Sequence, residues 1–478
     1  MRVNLFGIGT RSESRAITAQ SRTNCYVIPR KEMDRTAFAL MGRPGLTSFI
    51  NTLGGNPSRC LWPVNTLSTP LLFTVHAGTL YSINNAGTVS VIGAIGSTSG
   101  DVSMADDGKY LVLVDGTNGY WYNMQTPGAL TLITDGNFTT SPRTVTWQDQ
   151  YFIVTSSADR QFQMSQISPG VDPAVWPANQ INFTGTGAGA LQGGISDHTI
   201  LNLCGPDYTE FWQNSGTADF PFSIIPGSAQ QFGLAAPWSF CKFDNSLVGV
   251  FQNNEGARNI SRMQGFSLRK LSDQDIDLIL ARYSTVADAQ SFAFMNDGHP
   301  MYINNFPTAD ASWCYDGLAN TWSQWTDLDG SRFWGQKFAK FVDRLLVSDY
   351  RNGNIYEIDP TVYTDNGSMI PVEVTTKHIW EDDKYLAIHQ IQVDIESGVG
   401  TISGQGVNPV VDLQVSKDGG ETFYSVGYSK MGQIGEYTQR VIWRTLGAAR
   451  DWVLRLRITD PVKVVLTGAS AEITGGSF

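Results

Sequence analysis

The chain has 478 residues, 41% hydrophobic and 16% charged, with a formal net charge of −11. This balance excludes a disordered or fibrous polymer, and the acidity argues against a general nucleic-acid binder, whose footprint is a basic face. Five cysteines (Cys25, Cys60, Cys204, Cys241, Cys314) with no C-x-x-C pair argue against a disulfide framework and for a reducing compartment.

The length allows two or three domains. Forty-eight glycines, thirteen tryptophans and an aromatic share of 11% predict many short strands joined by tight turns. No apolar run is long enough to span a membrane, and MRVNLFGIG is no secretory signal.

In chain order, residues 1–58 show little alternation and two Pro/Gly turns, at Pro29 and at "GRPG" (42–45). They predict an extended arm that ends by adding a strand. From 59 to 362 a unit recurs: a β-branched or aromatic strand, a Gly/Asn/Asp turn, then a strand rich in Tyr or Trp. "LLFTVHAGTLYSINNAGTVSVIG" (71–93) shows it most cleanly. Phe73, Leu111, Phe152, Leu201, Val248, Tyr302 and Leu346 mark its strands at spacings of 38 to 54 residues. Propeller blades repeat every ~40–50 residues, so the region predicts a β-propeller of six or seven blades. One helix is predicted over 272–283, with Ser272 as its cap and Asp273 and Asp275 in its first turn. After "YTDNGSMIP" the pattern becomes plain two-residue alternation, which predicts a β-sandwich over 363–478. The fold class is therefore all-β.

Candidate chemistry is sparse. The Asp273–Asp275–Asp277 series imitates a calcium loop, but Leu278 and Ser284 stand where glycine and glutamate are needed. "GTGAGA" (185–190) matches the loose dinucleotide pattern, yet a strand follows it and not a helix, so it reads as a flexible loop between blades. The five histidines form no ligand pair, and no G-x-S-x-G elbow occurs. No catalytic, metal-binding or cofactor-binding residue is assigned. "SKDGGETF" (416–423) resembles the Asp box of sialidase propellers, where Asp418 would bond backbone amides of a hairpin turn. It occurs once and outside the propeller, and "YVIP" (26–29) has valine where the sialidase arginine stands. A glycan hydrolase or carbohydrate-binding propeller is thus the alternative reading.

The sharpest local feature is "RVIWRTLGAARDWVLRLRIT" (440–459), with five arginines in an acidic chain. Strand alternation puts Arg455 and Arg457 on one face and Leu454, Leu456 and Ile458 on the other. Gly447 allows a turn after Trp443. The arginines either pair with acids such as Asp451 or Asp460 and stack on tryptophan, or contact phosphate; net acidity favours the first.

The stretch 439–473 resembles the C-terminal signature of phage packaged-DNA stabilisation proteins, the tail-hub or head-completion proteins of short-tailed phages. Arg440, Val441, Trp443, Leu446, Gly447, Arg450, Arg455, Arg457, Pro461 and Val462 carry the likeness. "TNCYVIPRKE…LMGRPGLTSF" (23–49), which includes Gly45, "CGPDYTEFWQNSG" (204–216) and the block 288–325 are similar to other family segments in the same order. Met301, Asn304 and Asn305 depart from the more apolar residues of relatives. The resemblance implies a non-enzymatic virion component without cofactors, assembled in the host cytoplasm. It implies a ring, commonly of six copies, beneath the portal and its adaptor, which seals the head, carries the tail needle and tailspikes, and forms part of the ejection channel. DNA would pass with weak or no specific binding, and no membrane is involved. In this frame Arg440, Arg444, Arg450, Arg455 and Arg457 are candidate assembly residues, while Trp443, Gly447, Trp452, Asp418 and Gly45 form the structural signature.

Overall fold

The computed structural model describes residues 18–30, 38–51, 53–217, 219–382 and 384–475. Six four-part antiparallel blades follow in sequence, over 58–94, 103–132, 142–183, 193–224, 232–270 and 290–324. The seventh is built from Gly335–Phe341, Arg344–Asp349 and Ile355–Asp359, with Gly45–Ile50 of the arm as its fourth strand; Thr364–Asp365 and Ser368–Met369, expected in the sandwich, extend this sheet beyond it, so the sandwich strands begin at Val372. The expected added strand is therefore the one that closes the propeller.

Alternation explains the packing. In the second blade Leu111 and Leu113 face the first blade, while Tyr110, Val112 and Val114 face the third. Every blade interface has such a cluster, and the ring closes where Leu61, Leu72 and Ile83 of the first blade meet Ala339, Phe341 and Leu346 of the seventh. All seven marker residues lie on the second strand of their blades and are fully buried.

The sandwich has two sheets. One orders Val372–Thr375, Asp451–Ile458, Val410–Ser416 and Tyr424–Lys430; the other contains Val465–Gly475, Leu386–Ile395 and Val441–Ala449. The arm enters both. Its hairpin, Cys25–Pro29 with Phe38–Gly42, extends the second sheet by pairing with Val465 and Leu466. Ser21–Thr23 lies antiparallel to Val372–Thr375 and parallel to Thr321–Gln324 of the sixth blade. One continuous sheet thus runs from propeller to sandwich through the arm.

Two local expectations change, and the polar departures in the sixth blade find their place. The helix is Gln274–Arg282, and its cap is Asp273, whose side chain accepts from Ile276 N at 2.9 Å, not Ser272. The glycine-rich loop is held and not loose: Glu210, fully buried, accepts from Gly185 N at 2.7 Å and Thr186 N at 2.6 Å. A Cβ on Gly187 would sit 2.0 Å from the Tyr208 ring, which is why glycine stands there. The backbone donors that a phosphate would need are already occupied. Finally, Met301, Asn304 and Asn305 are all fully buried in the sixth blade. Asn305 donates to Gly335 O of the seventh blade at 2.9 Å and accepts from Ser312 Oγ of its own blade, so both ends of its amide are engaged. Asn304 accepts from Ser291 Oγ at 2.6 Å, but its Nδ2 has no partner among the described residues.

Candidate assembly surface on the sandwich

The final hairpin crosses between the sheets, so the five arginines do not share one environment. In Asp451–Ile458 the odd-numbered arginines point outward, as alternation requires. Arg457 lies opposite Glu373 on one neighbouring strand and Asp412 on the other. Its Nε is 3.1 Å from Glu373 Oε1, at an angle that makes an ion pair but no hydrogen bond. Arg455 donates from Nε to Gln414 Oε1 at 2.8 Å and covers the Phe423 ring at 4.1 Å. These two form a cross-strand ladder within the sheet. Their partners are not the expected ones. Asp451 is held by His378 Nδ1 at 2.7 Å, Asp460 accepts from Val410 N at 2.9 Å, and the stacked ring is a phenylalanine.

Arg440, Arg444 and Arg450 are exposed. Arg440 donates to Gln392 Oε1 at 2.7 Å, and the Arg450 guanidinium lies 4.9 Å from the Tyr385 ring. Arg444 is paired to Gln390 through the strand ladder, and its side chain makes no hydrogen bond or ion pair with another described residue.

This strand is an edge. Val441–Ala449 ends the second sheet, and Tyr424–Lys430 ends the first on the same side. They meet through Trp443 Nε1, which donates to Gly427 O at 2.7 Å, and Ile442 N, which donates to Ser429 Oγ at 3.2 Å. Outside this seam Tyr424, Val426 and Tyr428 occupy alternate positions of the edge strand, and Tyr428 and Tyr437 are 70% and 72% exposed. Strand edges that, among the described residues, take no further strand and exposed aromatic patches are features that folded proteins otherwise blunt.

The signature residues hold this surface from behind. Trp443 sits in the sandwich core, and Trp452, fully buried, donates to Leu386 O at 2.9 Å. Gly447 does not make the expected turn. The strand runs on through it, and a bulge accommodates Thr445 at φ 60° and Gly447 at φ 92° where the register shifts between Ile388 and Gln390. The chain reverses only at Arg450. Asp418 accepts from Glu421 N, Thr422 N, Thr422 Oγ1 and Ser416 Oγ, so its carboxylate is a turn cap. The side-chain bonds from Ser416 and Thr422, then the Thr422 amide, hold it well below the usual carboxylate range. Gly45 lies apart from this surface, at the start of the arm strand in the seventh blade, where a Cβ would meet Thr364 O at 2.4 Å and Val362 O at 2.6 Å.

Among the described residues, no group of three or more His, Cys, Asp or Glu is placed to hold a metal, and no helix is long and apolar enough to cross a membrane. The five cysteines are free, and burial pushes the thiols of Cys25, Cys60 and Cys204 up to about 12.

These features define a seven-bladed propeller locked to a β-sandwich by a shared N-terminal arm. The family models agree with both halves: "Bacteriophage P22 Gp10, beta-propeller" matches residues 1–363, and "Bacteriophage P22 Gp10, beta-sandwich" matches residues 371–474. The chain belongs to the bacteriophage P22 Gp10 family, structural proteins of the phage particle associated with stabilisation of packaged DNA. Similar solved structures include the WD40 β-propeller domain of Doa1 (9% identity, TM-score 0.42, covering 66% of this chain and 97% of that one). They also include the extracellular domain of the putative one-component system BT4673 from B. thetaiotaomicron (10% identity, TM-score 0.44, 84% and 48%). YCF48 bound to D1 peptide is a third (12% identity, TM-score 0.40, 70% and 97%). No curated protein matches this chain.

Proposed function

We propose that the chain is a tail hub that closes a ring, six copies by family resemblance, under the portal and its adaptor. The ring seals the packaged head and carries the tail needle and tailspikes. The observation that carries this reading is the open side of the sandwich. Two edge strands meet there and, among the described residues, carry no further strand, flanked by exposed tyrosines and by Arg440, Arg444 and Arg450. Guanidinium forks on such an edge can grip acids of a neighbouring copy or of the adaptor. The arm supports a mechanical role, because strands that pair with both domains leave no free hinge between them.

In this reading DNA passes through the opening of the assembled ring and not along the propeller axis. The cavities on that axis measure about 460 and 400 Å³. A duplex whose major groove alone is ~12 Å wide does not thread such spaces. A wall with an excess of acidic groups would let DNA slide without retention. The test is electron microscopy of the purified full-length chain mixed with its adaptor ring. Closed rings on the adaptor are expected, with the sandwich edge at a subunit boundary; a chain that stays monomeric beside the adaptor overturns the reading.

A further inference from the structure

The propeller axis holds a feature that the hub role does not use. In the fifth blade the innermost strand is broken into Phe232–Leu234 and Cys241–Lys242, both paired to Leu247–Asn253. The intervening loop carries a 3₁₀ turn, Pro237–Ser239, and places Trp238 in the axial channel. There it lines a cavity of about 460 Å³ with Trp62 of the first blade, Asp106 of the second, Trp147 of the third, Ser196 of the fourth and Lys242. That volume lies within the ~300–1,000 Å³ typical of small-molecule sites.

We propose that this axial cavity binds a short neutral saccharide. Three tryptophans from three blades converge on it, and Trp147 leaves 39% of its surface open although it sits on an innermost strand. Such rings offer flat apolar faces to the C–H faces of a sugar. They are also pre-oriented: Trp62 Nε1 donates to Asp106 Oδ2 at 2.7 Å, and Lys337, ion-paired to Asp101, lies 5.5 Å from the Trp238 ring centre. The charges choose among the ligands that tryptophan faces can take. A cation, otherwise a natural guest for such rings, meets Lys242 on the cavity wall and the ammonium of Lys337 beside Trp238. An anion or nucleotide meets Asp106, and Lys242 is already 3.6 Å from Asp197. A neutral polyol satisfies both signs, since its hydroxyls accept from Lys242 and donate to the lone pairs of Asp106 and Ser196.

The experiment uses the full chain and a set of neutral trisaccharides: maltotriose, cellotriose, mannotriose and chitotriose. Titration is followed by tryptophan fluorescence and calorimetry. The expected result is saturable binding of at least one of them, weakened about tenfold or more in Trp147→Ala. Thermal stability should be unchanged, and Tyr428→Ala, on the distant sandwich edge, should bind as the parent does. If Trp147→Ala does not fold, Lys242→Ala, altered at a largely exposed side chain, takes its place with the same expected loss. Absence of saturable binding for all four sugars, binding undiminished in these variants, or tighter Trp147-dependent binding of tetramethylammonium or of a nucleoside monophosphate overturns the proposal.

Discussion

The guanidinium of Arg43 grips the carboxylate of Asp365 through two hydrogen bonds, at 2.9 and 2.5 Å, with both side chains withdrawn from solvent. Arg43 also donates to Asn24 Oδ1 at 2.9 Å and to Thr326 O at 3.1 Å, and its guanidinium lies 4.9 Å from the Phe333 ring. Asn24 in turn donates to Pro371 O at 2.9 Å. Asn24 and the GRPG turn of the arm, the segment after the sixth blade and the approach to the sandwich therefore meet at one charged fork. Removing one partner of a buried pair leaves the other uncompensated, at a cost of about 3–5 kcal/mol. Asp365→Ala should lose that much in urea unfolding. Arg43→Lys, which keeps the charge but not the fork, should also fall well below the parent. Parental stability in both would show that the fork is dispensable.

Gly45 has the same task in steric form. Its amide donates to Val362 O at 2.8 Å, and a methyl group would press into Thr364 O and Val362 O. Gly45→Ala should cost about 1–3 kcal/mol through displacement of the closing strand. Gly136→Ala, where an added Cβ meets nothing within 4 Å, should stay within about 0.5 kcal/mol. Differential scanning calorimetry of the two variants separates packing from a general effect of losing glycine.

Much of the architecture was legible because it is local. Phe73, Leu111, Phe152, Leu201, Val248, Tyr302 and Leu346 each center a short apolar strand followed by a tight turn, and each is the buried middle of one blade. Tertiary pairing was not legible. Ser21–Thr23 finds its partners at Gln324 and Val372–Thr375, some three hundred residues on, and nothing in three polar residues announces that. Gly447 looked like a turn because glycine marks turns and bulges alike; only its partner strand reveals which. Arg455 and Arg457 were readable by alternation, but Glu373 and Gln414, which receive them, come from strands with no sequence proximity. The axial cavity was invisible for the same reason: Trp62, Trp147 and Trp238 belong to three blades, and ring closure alone brings them together.

Asp418 gives the sandwich a defined acid response. Its folded pKa is depressed, so the turn's contribution is complete above the ordinary carboxylate value of ~3.9 and fades as pH falls toward the folded value. The melting difference between the parent and Asp418→Ala should stay constant from about pH 5 to 8 and narrow below about pH 4. A difference that widens in acid would mean that the turn does not depend on the ionised carboxylate.

Duplex DNA should bind the isolated chain no more tightly than ordinary non-specific binders, at ~10⁻⁴–10⁻⁶ M in physiological salt. The motive is the charge of −11 and the engagement of Arg455 and Arg457 within their own sheet. A sub-micromolar affinity whose salt slope rises by about 0.9 per neutralised phosphate would overturn this.

The closing arginines and the tryptophan between them should part company under mutation. Trp443→Ala empties a core position and frees the Gly427 carbonyl, at a cost of about 3–5 kcal/mol, enough to unfold a marginal domain. Gly447→Val should fail similarly, because a β-branched residue at φ 92° is strained whatever the space around it. Arg444→Ala and Arg450→Ala touch only exposed side chains, where even an ion pair would be worth about 0–1 kcal/mol, and should leave a folded monomer. If the sandwich edge closes the ring, particles carrying those two variants should package DNA and then leak it. Thermal melts set beside particle DNA retention decide the matter. Arginine variants that melt as early as Trp443→Ala would make these side chains part of the fold. Variants that retain DNA as the parent does would remove the edge from assembly and return its arginines to solvated charge.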